Sequence, residues 1–274
     1  MFQMKMLQEV FPMLRALTFS FLTILMLITV GTLTAELQDG LVIYFTFDDV
    51  SGKTIKDSSG NGLDANIVAN TEIVKGKYGN AIKITAEGAD CVNVPSDEKL
   101  KISGEITMAA WIYQDAWNND GQWFDKNCHN GGEKNSYGIG AFESGRHINM
   151  FLGTGAGRPA LNKPHTLKEK TWQYVVGTYD GENWKVYVDG EVSLEHVEKV
   201  PFMGTNDSPL RIGCAKDRAN YTFDNGMIDE AAIWSRALSE SEIQAAMKGE
   251  ILSVTPKDKV STTWGNIKQR TLAN

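Results

Sequence analysis

An all-β sandwich of antiparallel sheets is the fold this sequence predicts, and three observations predict it. Short runs rich in Val, Ile, Tyr, Trp and Phe recur along the chain, separated by clusters of Gly, Asn, Asp and Ser. Helical periodicity is almost absent before residue 239. The third observation is residues 171–190, TWQYVVGTYDGENWKVYVDG. Trp172, Tyr174 and Val176 alternate there with Gln173, Val175 and Gly177. Asp180-Gly181-Glu182-Asn183 then turns the chain into Trp184, Val186 and Val188, which alternate with Lys185 and Tyr187. Two strands of period two joined by such a turn form a hairpin, one face of which buries aromatic rings.

In chain order, the first segment stands outside the sandwich. Lys5 and Arg15 precede an uncharged apolar block at residues 16–30, followed by small and polar residues through Thr34 and Ala35. That order is an export signal with cleavage near Ala35; a retained single anchor is the weaker alternative, because the block is shorter than the roughly 20 residues a spanning helix needs. No Cys follows it to carry a lipid. The division is therefore signal peptide 1–35, one domain 36–252 and a tail 253–274. The product is expected outside the cytoplasm or at the cell surface, with no membrane insertion after cleavage. A net charge of -7 and the absence of a basic run exclude a nucleic-acid partner, because phosphate neutralisation needs a basic face.

Residues 41–47, LVIYFTF, form a strand with two apolar faces, closed by Asp48 and Asp49. Residues 57–62, DSSGNG, pack turn formers into one loop. Further strands are expected at 81–85, 91–94, 106–113, 137–142, 148–152, 210–213 and 227–234. Ser239-Glu240-Ser241-Glu242 is a capping box, with Leu238 and Ile243 as its hydrophobic staple. It opens a short C-terminal helix with Ile243, Ala246 and Met247 on its apolar stripe and Gly249 as its stop. In the tail, Val260, Trp264 and Ile267 lie at helical spacing and dock either on the domain or on a partner.

An odd number of cysteines, Cys91, Cys128 and Cys214, allows at most one internal bridge. Cys91 sits mid-strand and reads as a buried thiol. Cys128 and Cys214 lie beside turn-rich sequence, so a bridge, if formed, joins those two.

Several segments in sequence order, LVIYFTFDD, DSSGNGLDAN, YGNAIKI, CVNVP, EITMAAWIY, WQYVVGTYDG with WKVYVDG, PLRIG and GMIDEAAIWSRALSESEI, carry a resemblance over residues 41–249. They resemble the laminin-G-like domains of the concanavalin A-like lectin/glucanase superfamily, in the arrangement of bacterial exported proteins. The resemblance implies a two-sheet antiparallel jelly-roll sandwich, often with one calcium ion, that binds an extracellular glycan or glycoprotein. Residue chemistry offers a place for the ion. Asp229 and Glu230 interrupt an apolar strand, where a carboxylate must be paired, hydrogen-bonded or metal-bound. Asp57 and Asn61 bring further oxygens, and Asp48 lies on the first strand, a common neighbour of the last. Asp57 and Asn61 equally serve as turn caps, and Asp229 as a partner of Arg236.

The same superfamily contains glycoside hydrolases. Their Glu-x-Asp-x-x-Glu run is absent here, and strand alternation leaves Glu230 without a second carboxylate on its face. The protein is therefore expected not to be an enzyme. For recognition, residues 115–132 combine Trp117 and Trp123, which suit sugar faces, with Asn118, Asp120 and His129, which offer hydrogen bonds of both senses. Trp123 fits a core strand as well. The alternative to a recognition module is a structural or adhesive extracellular protein that assembles through its tail.

Overall fold

The computed structural model describes residues 37–85, 91–117, 120–126, 136–154, 157, 159–165, 167–204, 206–215 and 222–252. The expected signal 1–35 and the tail 253–274 lie outside the described residues, as do Asn118, Cys128 and His129. All strands and the helix belong to one unit, Asp39–Gly249.

In chain order the strands begin with β1 (Leu41–Phe45), β2 (Val50–Ser51), β3 (Thr54–Ile55), β4 (Ala65–Val68), β5 (Glu72–Lys75) and β6 (Asn80–Ile84). Next come β7 (Cys91–Val94), β8 (Ile106–Gln114), β9 (Gly121–Asp125), β10 (Tyr137–Phe142), β11 (His147–Leu152) and β12 (Ala160–Pro164). The last are β13 (Gln173–Tyr179), β14 (Asn183–Val188), β15 (Glu191–Val197), β16 (Leu210–Ile212) and β17 (Gly226–Trp234), followed by helix α1 (Glu240–Met247). The first sheet runs β15-β14-β13-β8-β17-β6-β5, with β1 also on β17; the second runs β12-β11-β10-β9-β16-β7-β4-β3-β2. Every pairing is antiparallel, and the first and last strands are neighbours as expected. This is the predicted jelly-roll sandwich with a short C-terminal helix.

The core lies between the sheets. On the second sheet, Val92, Ile212, Phe124, Ile139, Met150 and Leu161 stand in one cross-strand row facing inward. Ile43, Phe45, Ile82, Met108, Ile112, Val175, Val186 and Ile228 meet them from the first sheet. Burying each such side chain contributes about 1.5–3 kcal/mol.

The predicted hairpin forms, with Val175 opposite Val188 and Tyr179 opposite Trp184. Asp180 closes its turn by accepting the amides of Glu182 at 3.0 Å and Asn183 at 2.7 Å. The core takes Val175, Tyr179, Trp184 and Val186, so Trp172 and Tyr174 point out of the sandwich. Strands β2 to β5, β12 and β15 show little alternation in the sequence. They are short or polar, and they form because a neighbouring strand already presents its edge.

Helix α1 is capped as predicted: the Ser239 hydroxyl accepts the Glu242 amide, and Glu242 Oε2 accepts the Ser239 amide at 2.8 Å. Arg236 reinforces the cap by donating to Glu242 Oε1 at 2.5 Å. It is therefore not the partner of Asp229.

Candidate ligand-binding face

One position along from the core row of the second sheet, the side chains point outward. Register sets Asn66 beside Asn93, Asn93 beside Arg211, Arg211 beside Asp125, and Asp125 beside Gly138. Four polar side chains from β4, β7, β16 and β9 thus stand in line, spanning about 14 Å at the usual strand spacing. A second row holds Gln122, Gly140, Asn149 and Asn162. A β-bulge brings Gln122 into it: Ile139 opposes Phe124 while Gly140 opposes Gln122, which leaves Trp123 as the extra residue. Gly140 floors this row. A Cβ there would lie 2.8 Å from the Gln122 amide nitrogen and collide with the Gly121 carbonyl.

Gln122, Asp125 and Asn149 are buried. Both polar atoms of the Gln122 amide, Oδ1 of Asn93 and of Asn149, and one Nη of Arg211 are shielded from solvent without a hydrogen-bonding partner among the described residues. Each such group costs about 1–3 kcal/mol, and buried polar atoms in native proteins are normally satisfied. The amides supply donors and acceptors and Arg211 supplies donors, which together suit a polyhydroxylated molecule. Lys126, next along β9, has a different task. Its buried ammonium donates to the carbonyls of Asn206 at 3.0 Å and Ser208 at 2.7 Å, pinning that segment to the sheet edge, and burial lowers its pKa to about 8.

Of the loop residues expected to hold a ligand, Trp123 is corrected. It is 1% exposed and packs edge-on against Phe223 within the core, because the bulge turns it inward. Trp117 is half-buried, its ring 5.8 Å from that of Phe223 and close enough to Gly145 that a Cβ there would overlap it. It packs against the edge of the core. Asp120 is half-buried immediately before β9. Sequence reasoning missed the two polar rows. Their signal is a polar residue inside an apolar strand, such as Asn93 in CVNV, Arg211 in LRI and Asn149 in HINMFL.

The residues expected to hold calcium fall in two places. Asp57 accepts the amides of Tyr44 and Ser59 on one oxygen, and the Leu63 amide and Ser59 hydroxyl on the other. Asn61 turns its NH2 to the carbonyls of Leu41 at 2.8 Å and Val42 at 3.0 Å. Both knit the DSSGNG loop to β1. Asp48 and Asp229 flank the β5–β6 turn, accepting the amides of Asn80 at 2.8 Å and Tyr78 at 2.9 Å. Among the described residues no three acidic, His or Cys side chains converge to hold a metal. The set Asp48, Asp57, Asn61 and Asp229 therefore does not fit an ion that takes six to eight oxygens.

A second bulge corrects the expectation that Glu230 has no carboxylate beside it. Asp229 opposes Trp111 and Ala232 opposes Ala109, so β17 carries an extra residue where Glu230 adopts φ of 51°. Both carboxyls then lie on the outer face of the first sheet, where Glu230 accepts the Tyr44 hydroxyl and Asp229 accepts the amides of Tyr78 and Glu230. Burial pushes Asp229 up to about 7 and also raises Glu230. Around them stand Trp111, Tyr174 and Tyr78, with the Lys77 ammonium 4.2 Å above the Trp111 ring. The Trp111 Nε1 and Tyr174 hydroxyl are buried here without a partner among the described residues.

The expected Cys128–Cys214 bridge is corrected at Cys214. Its buried thiol is not disulfide-bonded and lies against that of Cys91; the bond between them, together with burial, drives the Cys214 pKa far up.

A laminin G-type family model, described as the concanavalin A-like lectin/glucanases superfamily, matches residues 86–244, more than half of the chain. The chain belongs to this superfamily. No curated protein matches it in sequence. Solved structures share its fold at low identity. The binding domain of Paraclostridial Mosquitocidal Protein 1 superposes with a TM-score of 0.61 at 18% identity, over 78% of this chain and 53% of that one. Domain 4 of AbnA, a GH43 extracellular arabinanase from Geobacillus stearothermophilus, in complex with arabinotriose, gives 0.57 at 18%, over 76% and 98%. Botulinum neurotoxin type C, whose cell entry depends on interaction with two ganglioside molecules, gives 0.60 at 15%, over 79% and 52%. The chain thus spans about half the length of the two toxin chains.

Proposed function

We propose that this protein is an exported, non-catalytic carbohydrate-recognition module whose ligand lies along the polar outer face of the second sheet. The observation that carries this reading is the set of buried, unpartnered groups on Asn93, Gln122, Asn149 and Arg211. Sugar hydroxyls donate and accept through the same atom, so a chain of them complements amides of both senses beside a guanidinium. The arabinotriose on the Geobacillus domain and the ganglioside dependence of the neurotoxin support a glycan as the ligand class. Export is supported by the apolar block at 16–30. No helix among the described residues is long and apolar enough to cross a membrane.

A non-catalytic role is supported by where the carboxylates lie. Asp229 and Glu230 are on the other sheet from the polar rows and are held by Tyr44 and backbone amides, and the rows themselves carry one carboxylate, Asp125. Retaining glycosidases need two carboxyls flanking one scissile bond. A glycan array probed with the full chain tests the reading, together with Gln122→Ala and Asn149→Ala. Binding to a defined glycan that both substitutions weaken is expected. Silence across plant, algal and bacterial-surface glycans, or full affinity in both variants, overturns it.

A further inference from the structure

We propose that Cys91 and Cys214 form a cross-strand disulfide that staples β7 to the segment leaving β16. Val92 and Val94 face the core, so Cys91 at the start of β7 faces outward together with Asn93. Ile212 opposes Val92 in the antiparallel pair, which brings Gly213 beside Cys91. A regular strand would then send Cys214 to the core side, as it does Ile212. Gly213 prevents this. Its φ is +91°, and a Cβ on it would lie 2.6 Å from Cδ1 of Ile84 and 3.8 Å from Cδ1 of Ile228, both core residues. The face alternation is thereby displaced by one residue, and Cys214 returns to the side of Cys91. Only glycine combines that left-handed backbone with the absent side chain. The two thiols are 4% and 5% exposed and touch each other.

Oxidation proceeds by thiol–disulfide exchange with a protein or glutathione disulfide. One cysteine thiolate attacks the S–S bond of the oxidant, releasing one of its thiols and leaving a mixed disulfide. The second cysteine thiolate attacks the mixed disulfide at its own partner's sulfur and releases the other thiol. Two electrons and two protons leave the pair, and the oxidant is reduced to two thiols. Because the hydrogen bond to Cys91, together with burial, holds Cys214 as an unreactive thiol once the sheet is closed, exchange occurs before β16 docks, and the product is afterwards shielded from reductant. The bond closes a loop of roughly 120 residues, long enough for a large loss of unfolded-state freedom.

The full chain refolded in a glutathione redox buffer, alkylated and mapped by mass spectrometry, tests this. A linked Cys91–Cys214 peptide, about 2 Da lighter than its reduced form, is expected, with Cys128 alkylated. Reduction should lower Tm by about 10 °C. Cys91→Ser should abolish that drop and expose Cys214 to alkylation after unfolding. If that variant does not fold, Cys128→Ser decides, because the linked peptide and the Tm drop must both survive in it. A bridge from Cys128 to either residue, or alkylation of both Cys91 and Cys214 after oxidative refolding, overturns the proposal.

Discussion

The outer faces of the two sheets both bury polar groups, but they satisfy them differently. On the first sheet the carboxyls of Asp229 and Glu230 find Tyr44 and the amides of Tyr78 and Glu230, and aromatic rings close over them, leaving the Trp111 Nε1 and the Tyr174 hydroxyl unpartnered among the described residues. On the second sheet Gln122, Asn149, Asn93 and Arg211 line a strip floored by Gly140 and keep hydrogen-bonding capacity that the described residues do not use. Polar burial answered by the chain itself stabilises a fold. Polar burial left unanswered lowers its stability and makes sense as preparation for a ligand.

The largest effect that would break the comparison is a pH dependence from the first face. The Asp229 pKa is raised from 3.8 to about 7, so the folded state holds a proton that the unfolded state releases. This contribution to stability is complete below pH 4 and is lost as pH rises to 7, by at most about 4 kcal/mol. Urea midpoints across that range should fall, and Asp229→Asn should flatten the slope; equal slopes in the two proteins would place the titration elsewhere.

On the second face, combining Gln122→Ala with Asn149→Ala should weaken glycan binding by about 100-fold, or roughly 2.7 kcal/mol, while Tm stays level or rises. A joint loss of binding and stability would show that the amides belong to the fold. Next in size, Tyr44→Phe removes the donor to Glu230 and should cost about 2 kcal/mol of stability with no change in binding. Ser239→Ala touches neither face. It should cost about 1 kcal/mol through the lost helix cap and leave both the pH slope and the affinity unchanged. Smallest of all, adding calcium or a chelator should move Tm by no more than about 1 °C, since the Asp57 and Asn61 side chains are engaged by the chain's own groups.

Much of the sandwich was legible in the sequence because its signals are local. Alternation located β13 and β14, and apolar runs bounded by turn formers located β1, β8 and β17; Asp180 and Gly181 marked the hairpin turn, and Ser239 with Glu242 marked the helix start. The candidate site was far less legible. Trp117 and Trp123 drew attention by composition, yet one packs half-buried against Phe223 and the other fills the core. Asn93, Arg211 and Asn149 looked like isolated polar residues until sheet register set them in rows.

What the sequence determined by itself is the period-two pattern, the turn chemistry, the helix cap and the DSSGNG loop, since each depends on residues within a few positions of one another. Tertiary structure alone decided which face each polar side chain occupies. The bulges at Trp123 and Glu230 and the left-handed Gly213 each shift the alternation by one residue. Whether such a shift is tolerated depends on strands far away in the chain: Gly140 beside Gln122, Tyr44 beneath Glu230, and Ile84 against Gly213.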